Sequence, residues 1–388
     1  MKIKQQPQDF RVMELSSLAW SQEKAAHAVY TMEKQDVDTF AAIRMLARRL
    51  RLPQAEIGYA GLKDKHAQSI QYISLPTHCN IETMRLPGIE IKRVGYLPSK
   101  IQTGDLQGNA FTIIVRDLRD ADLDHFTDRI DDLRTSGVPN YFDSQRFGSA
   151  VNRVFIAKLL IQGKDEAAVK HYLTAYQKSE PKTIKDEKRR LAANWPHFAD
   201  TQVRDRTLVR VIEEYRTTRS WLQAYQRIPS QIREIHANAY QSYLWNETLK
   251  ELLRSIVDKK MLFAVEYAAG SLLFPQRLTP EEKQAIPTEL YTISESALYS
   301  GKELAAVKKV LASEGISQQD LARLALASYE LKARPRPAII TPTNLSASAP
   351  QPDELNTRAG EQRSKIQLSF ALPKGAYATI ITKRLFGQ

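Results

Sequence analysis

The 388-residue sequence contains a single cysteine, Cys79, so it cannot form an internal disulfide bond. Its seven histidines are scattered, and no cysteine pair or His-Glu-x-x-His motif gives the spacing of a metal site. No apolar run is long enough to cross a membrane, and the first six residues lack the apolar core of a signal peptide. Glycine-rich phosphate loops and dinucleotide fingerprints are also missing. These absences predict a soluble, cytoplasmic protein that uses no metal and no cofactor.

The charge of the chain points to a polyanionic partner. Lysine and arginine total 56 residues against 44 aspartates and glutamates, which gives a formal net charge of +12. Such an excess attracts nucleic acid first and an anionic membrane surface second. The length is sufficient for a large core and for two or three domains.

One short motif combines a carboxylate with flanking ammonium groups. Residues 61–71 read GLKDKHAQSIQ, so that Asp64 stands between Lys63 and Lys65. Nearby positive charge favours the ionised form of a carboxylate, which can then act as a nucleophile or a base. The same two lysines could hold a phosphate backbone. Taken alone, however, the pattern fits a charged surface turn better than a catalytic site.

The complete stretch resembles the signature of the TruD family of tRNA pseudouridine synthases, which reads roughly Gly-x-Lys-Asp-Arg/Lys-x-Ala-x-Thr-x-Gln. Ser69 replaces the usual threonine of that signature and keeps its hydroxyl group. In the family the aspartate of the motif is catalytic, so the resemblance implies that Asp64 is the catalytic carboxylate.

The N-terminal segment is similar to a second pattern of the same family. Residues 4–14 read KQQPQDFRVME and match Lys-x-x-Pro-x-Asp-Phe-x-Val-x-Glu. The resemblance implies that Lys4 is the basic partner of Asp64, whereas without it Lys4 reads as a frayed terminal lysine. It also makes Phe10 a candidate for stacking near the site, with an ordinary core position as the alternative.

A third match lies in residues 108–112, which read GNAFT. In the family the asparagine of this motif forms hydrogen bonds near the catalytic carboxylate, and the phenylalanine stacks on the target base. The resemblance thus assigns these roles to Asn109 and Phe111, and both side chains have suitable chemistry. The alternative is a turn asparagine, because residues 103–109 are rich in turn formers, followed by a core phenylalanine.

Residues 138–148, VPNYFDSQRFG, resemble the family pattern Asn-Tyr-Phe-Gly-x-Gln-Arg-Phe-Gly. Asp143 replaces the first glycine, and aspartate tolerates a left-handed backbone better than most residues. Arg146 of this motif is expected either to contact a phosphate of the RNA or to close a salt bridge.

The middle of the chain, beyond Val151, is dominated by helical patterns and basic runs. Residues 182–190 read as a basic linker, and Arg204 and Arg206 begin a second run of arginines. Basic runs of this kind usually form a solvated face, but in a protein that holds tRNA they are also candidates for phosphate contacts.

Strand patterns near both ends of the chain surround helical patterns in its centre, which predicts an α+β fold. The resemblance implies a pseudouridine-synthase catalytic domain built from residues 1–137 and 339–388, with a mixed, mainly antiparallel sheet from both chain ends. A helix-rich α/β TRUD domain is expected as an insertion at 138–338.

The resulting prediction is an isomerase that converts uridine to pseudouridine in tRNA, most simply at position 13 in the D-arm, with no cofactor. We expect tRNA as the partner and a monomer without membrane or protein partners. The alternative is a catalytically silent RNA-binding or RNA-chaperone protein, which explains the charge equally well. A hydrolase with paired carboxylates is disfavoured because the sequence offers no second acidic residue that is as good a catalytic candidate as Asp64.

Overall fold

The protein is represented by a computed structural model in which residues 1–65, 67–198, 203–358 and 361–387 are described. The chain divides into two compact units. Residues 1–138 and 340–388 form what we call the sheet unit, and residues 139–339 form the helical unit. The borders predicted from the sequence each lie one residue from these.

Both ends of the chain enter one ten-stranded sheet in the sheet unit. Its strands are β1 (Phe10–Ser16), β2 (His27–Gln35), β3 (Gly58–Tyr59), β4 (Gln68–Pro76), β5 (Thr83–Leu86), β6 (Ile89–Leu97), β7 (Leu106–Leu118), β14 (Thr343–Ala347), β15 (Gln351–Pro352) and β16 (Ser364–Pro373). Along the sheet they follow the order β14-β16-β7-β1-β4-β2-β6-β5, with β15 beside β16 and β3 beside β4. Only β1 and β4 run parallel among the registered pairs of this sheet, so the sheet is mixed and mainly antiparallel, as predicted.

The helices of the sheet unit are α1 (Thr39–Leu50), α2 (Asp120–Leu123), α3 (Phe126–Ser136) and α12 (Ala378–Phe386). Helix α1 begins where Asp38 accepts a hydrogen bond from the amide of Ala41 at 2.9 Å, an ordinary N-cap. Its apolar stripe, which includes Ile43 and Leu46, packs on the buried side chains of β2 and β4. Burying each such side chain contributes about 1.5–3 kcal/mol and fixes the helix on the sheet.

The helical unit contains α4 (Ile156–Ile161), α5 (Asp165–Thr174), α6 (Lys182–Ala193), α7 (Arg206–Thr218), α8 (Trp221–Gln226), α9 (Ser230–Ile256), α10 (Pro280–Ala285) and α11 (Gly301–Ser313). Its strands are β9 (Leu262–Tyr267), β10 (Gly270–Pro275), β11 (Glu289–Tyr291) and β12 (Pro335–Pro337). Two further short strands, β8 (Val138–Pro139) and β13 (Ile339–Ile340), lie where the chain passes between the units. None of the described helices is long and apolar enough to cross a membrane.

Several sequence predictions were wrong in detail. The helical pattern beyond Val151 runs from Val154 to Tyr176 in the sequence, but it is divided into α4 and α5, because Gly163 adopts a φ of 73°. The basic stretch at 182–190 is not a linker, since it forms most of α6. The stretch at 106–109 is not a turn either, because it begins the long strand β7.

Candidate active site

The loop before β4, residues 61–64, is held by buried polar side chains. The hydroxyl oxygen of Thr39 accepts a hydrogen bond from the amide of Lys63 at 2.9 Å. The same hydroxyl donates to the side-chain oxygen of Gln71 at 3.0 Å, and the Gln71 amide donates to the carbonyl of Gly61 at 3.2 Å. Thr39 and Gln71 are both buried. The loop therefore presents Asp64 from a backbone that its neighbours have fixed in place.

A buried lysine completes this support. The Lys34 ammonium donates to the backbone oxygens of Val37, Lys63 and Asp64 at 2.8, 3.2 and 2.9 Å. Its three N–H groups can thus satisfy three carbonyls. Burial lowers the pKa of Lys34 to about 8, although the carboxylates of Asp64 and Asp38 oppose that shift.

The structure brings Lys4 and Asp64 together. The Lys4 ammonium forms an ion pair with the Asp64 carboxylate, and each side chain keeps about a quarter of its surface exposed, at 23% and 27%. The Lys4 nitrogen also lies 4.3 Å from the centre of the Phe10 ring, within the range of a cation–π contact. Lys4 adopts a positive φ of 57°, which is unusual for a residue with a side chain. This arrangement leaves a carboxylate that is both accessible to a ligand and held by a cation.

The strand register explains why distant motifs share one face of the sheet. Phe370 pairs with Phe111, Phe111 with Val12, Val12 with Ser69, and Ser69 with Lys34, in a row across β16, β7, β1, β4 and β2. Residues directly opposite each other point to the same face. At about 4.8 Å per strand, the row extends roughly 19 Å from Phe370 to Lys34.

Phe10 and Phe111 both lie in an aromatic cluster on this face. Their ring centres are 6.0 Å apart in an edge-to-face arrangement, and Phe370 lies 5.6 Å from Phe111 on the other side. Phe10 is 5% exposed and Phe111 9% exposed. Each ring therefore has a packing role in the core, and the stacking role of Phe111 stays a prediction.

Asn109 lies two residues before Phe111 on β7, directly opposite Glu14 and Leu372. Its Oδ1 atom is buried and accepts no hydrogen bond from the described residues. A buried acceptor without a donor is costly, and a ligand with an N–H or O–H group would satisfy it. The predicted hydrogen bond between Asn109 and the surroundings of Asp64 stays a prediction.

Lys63 is buried, although the sequence analysis named it as a possible contact for an RNA phosphate. Its ammonium forms a buried ion pair with Glu14, and the two side chains are only 5% and 1% exposed. Reaching an RNA phosphate would break this pair and leave a buried carboxylate uncompensated, so the geometry argues against the predicted RNA contact. Lys65, by contrast, is exposed and can reach a polyanion.

The remaining predicted RNA contacts lie in the helical unit. Arg146 is half-buried, donates to the Ser242 hydroxyl at 3.0 Å and lies 5.6 Å from the Phe142 ring. No ion pair joins Arg146 to another described residue, so the expected salt bridge is not seen. Arg204 and Arg206 are exposed at the start of α7.

The replacement at residue 143 also has a clear local effect. Asp143 has a φ of −101°, which is extended backbone rather than the left-handed region. Its carboxylate accepts from the amide of Ser144 at 2.7 Å and caps the short 3-10 turn that carries Arg146. The aspartate therefore supports this turn without requiring a glycine.

Sequence reasoning missed Lys34, Thr39 and Glu14. A signal for Lys34 was available, because it follows Ala28, Tyr30 and Met32 on the buried face of the alternating strand β2. A lysine in such a position needs internal partners. No comparable signal marked Thr39, whose role depends on a long-range contact.

No group of three or more potential ligands among His, Cys, Asp and Glu could hold a metal in the part of the chain that the structure describes. The candidate site thus consists of a supported carboxylate, a cation beside it, aromatic rings and one buried acceptor. Such a set can perform acid–base or nucleophilic chemistry on a ligand with stackable faces.

Comparisons with known proteins match this chain along almost its whole length. Residues 1–385 match the family model described as "tRNA pseudouridine synthase D (TruD)". The chain is 35% identical to "Probable tRNA pseudouridine synthase D 2" of Methanocaldococcus jannaschii, over 100% of this chain and 92% of the relative. It is 28% identical to "tRNA pseudouridine synthase D" of Aquifex aeolicus, over 100% of this chain and 98% of that protein.

A similar fold is found in the crystal structure of a Methanosarcina mazei protein assigned to TruD. The TM-score is 0.73 at 23% identity, and the alignment covers 99% of this chain and 93% of the other. At this identity the likeness shows the shared fold.

Proposed function

The chain belongs to the TruD family of tRNA pseudouridine synthases, and we propose that it isomerises uridine to pseudouridine in tRNA with Asp64 as the reacting carboxylate. The observation that carries the assignment of Asp64 is the ion pair with Lys4 on a loop fixed by Lys34, Thr39 and Gln71. An RNA-binding protein without catalytic activity has no need for this convergence.

The reaction breaks the glycosidic bond of a uridine, rotates the uracil and joins its carbon to the ribose. Asp64 can contribute in two ways, by attacking the sugar as a nucleophile or by removing a proton from it as a base. In either case the carboxylate must be ionised and oriented, and the Lys4 ammonium favours both conditions. The Phe10 ring under Lys4 restricts where that ammonium can lie.

The target uridine has to leave its stack before it can reach Asp64. Flipping costs about a few kcal/mol, and it costs least where the base is already unpaired or poorly stacked. This preference favours a target in a loop or a non-helical region. The choice of position 13 in the D-arm rests on the family resemblance and not on the cost of flipping. We propose that the ring of Phe111 stacks on the flipped base. The buried Oδ1 of Asn109 would then accept a hydrogen bond from the polar edge of that base.

Two surfaces would hold the remainder of the tRNA. The exposed ammonium of Lys65 lies next to Asp64 in the sequence and can neutralise a phosphate near the target. Arg204 and Arg206 of the helical unit would contact phosphates elsewhere on the tRNA. The net charge of +12 supports a strong electrostatic component in binding.

The test is to map pseudouridine in tRNA from cells with and without this protein. We expect pseudouridine at position 13 of some tRNAs to disappear when the protein is absent and to return with the intact chain. An unchanged pseudouridine map, together with tight tRNA binding by the purified protein, would instead support the RNA-binding alternative.

A further inference from the structure

Helix α1 carries an unusual exposed face. Phe40, Arg44 and Arg48 are spaced four residues apart and are all exposed, so they lie along one side of the helix. At 1.5 Å per residue, this stripe is about 12 Å long. The helix contains no aspartate or glutamate. One aromatic ring and a row of cations therefore face solvent without a neighbouring carboxylate on the same element.

The arginines of this helix are not committed to other groups. No side-chain hydrogen bond or ion pair within the described residues involves any of Arg44, Arg48, Arg49 or Arg51. Several other exposed arginines of the sheet unit are paired, as in Arg85–Glu90, Arg119–Asp122 and Arg134–Asp131, although Arg11 and Arg358 are exposed and also have no side-chain partner among the described residues. What distinguishes the α1 arginines is that several unpaired cations stand together on one helix.

Phe40 is also unusual. It is 50% exposed, and no other aromatic residue described in the sheet unit is as exposed. Its ring contacts Tyr59 edge-on at 6.4 Å, two residues before the loop that starts at Gly61. The preceding residue, Thr39, accepts the hydrogen bond from the Lys63 amide within that loop. The stripe thus begins directly beside the loop that presents Asp64.

Helix stability alone does not account for the whole stripe. Arg48 and Arg49 lie in the last turn, where cations favour the negative end of the helix dipole. Arg44 lies in the middle of α1, where this effect is negligible, and Phe40 lies at the opposite end of the helix. An exposed aromatic ring contributes little to folding, but it offers a face to a nucleobase.

We propose that the outer face of α1 binds a single-stranded segment of the substrate RNA next to the target nucleotide, with Phe40 stacking on a base and Arg44 and Arg48 contacting phosphates. This inference rests on the proposed function, because it takes the Asp64 loop as the place of the reaction. The occupant is single-stranded, since stacking on Phe40 requires an open base face.

The test compares two double variants of equal charge. Arg44→Gln with Arg48→Gln should weaken tRNA binding and lower the magnitude of the salt slope by roughly 0.7–0.9 for each phosphate that is no longer neutralised. In contrast, Arg85→Gln with Arg119→Gln removes the same two charges from paired positions and should leave the slope nearly unchanged. In both, kcat at saturating tRNA should stay within about threefold of wild type, so that the effect of the α1 variant appears in KM.

Phe40 has its own control. Phe40→Ala should raise the Kd for tRNA about tenfold, whereas Phe40→Trp should keep the affinity because the stacking face survives. Phe40→Leu keeps an apolar side chain without that face and should behave like alanine. Equal affinities for the alanine and tryptophan variants would overturn the stacking role.

Two further outcomes would overturn the proposal. If both arginine pairs change the salt slope equally, the effect is one of net charge and α1 has no special part. If the α1 variants lose binding to vesicles of anionic lipid while their tRNA affinity is unchanged, the face is a membrane surface. Failure of the proposed function would look different, because wild-type protein would then form no pseudouridine at all.

Discussion

The ammonium nitrogen of Lys34 lies 2.9 Å from the backbone oxygen of Asp64, so a buried cation holds the residue that we assign to catalysis. Lys34 is 1% exposed and lies on β2, whereas Asp64 lies on the loop before β4. The contact does not use the carboxylate of Asp64. It fixes the loop backbone and leaves the carboxylate available to Lys4 and to substrate.

The first prediction concerns pH. Because burial lowers the pKa of Lys34 to about 8, raising the pH through this value removes the positive charge and one of the three N–H donors that Lys34 shares among Val37, Lys63 and Asp64. Single-turnover conversion should therefore decline above about pH 8. In Lys34→Arg the guanidinium stays charged, so a variant that folds should lose this decline. A rate profile that is identical in the two proteins would exclude Lys34 as its cause.

The lowered pKa of Lys34 has the opposite effect on the stability of the fold, which should increase with pH. Between about pH 8 and the ordinary lysine pKa near 10.4, the unfolded chain holds the Lys34 proton and the folded chain does not. The contribution of Lys34 to the free energy of unfolding therefore rises with pH in this range. Denaturant unfolding of wild type and Lys34→Met at pH 7.5 and 9.5 measures it, and wild type should gain relative to the variant.

The second prediction concerns Lys4. Lys4→Met removes the ammonium beside Asp64 but keeps an apolar chain over the Phe10 ring, so turnover should fall by at least about tenfold with little change in tRNA affinity. Lys4→Arg retains the charge and should recover part of the rate. If the methionine variant is as fast as wild type under single-turnover conditions, the ion pair has no catalytic role.

The third prediction tests Phe111 against its packed environment. A base-stacking ring is worth roughly 1–3 kcal/mol, so Phe111→Ala should slow single-turnover conversion by about one to two decades. As a buried residue it should also lose about 3–5 kcal/mol of stability. Phe370→Ala is the matched control, because it removes the neighbouring buried ring from the same cluster.

Melting temperature and rate, measured per folded molecule, separate the two effects for Phe111. The account predicts that both variants melt early but that only Phe111→Ala is slow. Equal rates for the two variants would make Phe111 a packing residue alone.

The fourth prediction concerns the helical unit. Neutralising Arg204, Arg206 and Arg210 to glutamine should flatten the salt dependence of tRNA binding and raise KM. The matched control neutralises Arg153, Arg227 and Arg254, which are also exposed but are paired with carboxylates. If the control variant flattens the salt dependence of tRNA binding as much as the first variant does, the arginines at the start of α7 make no specific phosphate contact.

The sequence was informative where a function depends on a contiguous motif. The stretches containing Asp64, Lys4 and Asn109 are recognisable from their residues. The mainly antiparallel sheet from both chain ends was also predicted correctly.

The environments of the other site residues depend on contacts between distant segments, which the sequence alone does not show. Lys63 looked like a surface cation because its partner Glu14 lies 49 positions earlier in the chain. Asn109 looked like a turn residue because glycine precedes it, yet pairing with β1 and β16 draws it into a strand. The alternation of β2 indicated that Lys34 is buried and needs internal partners, but no local pattern showed that the loop before β4 supplies two of them. The contact of Thr39 with the same loop had no local signal at all.

The most direct test of the account is the rate of pseudouridine formation by Asp64→Asn beside its affinity for tRNA. The substitution keeps nearly the same shape and removes the charge that pairs with Lys4. The account predicts no detectable product in single turnover and a Kd for tRNA within a few fold of wild type. An Asp64→Asn protein that forms pseudouridine at the wild-type rate would contradict it.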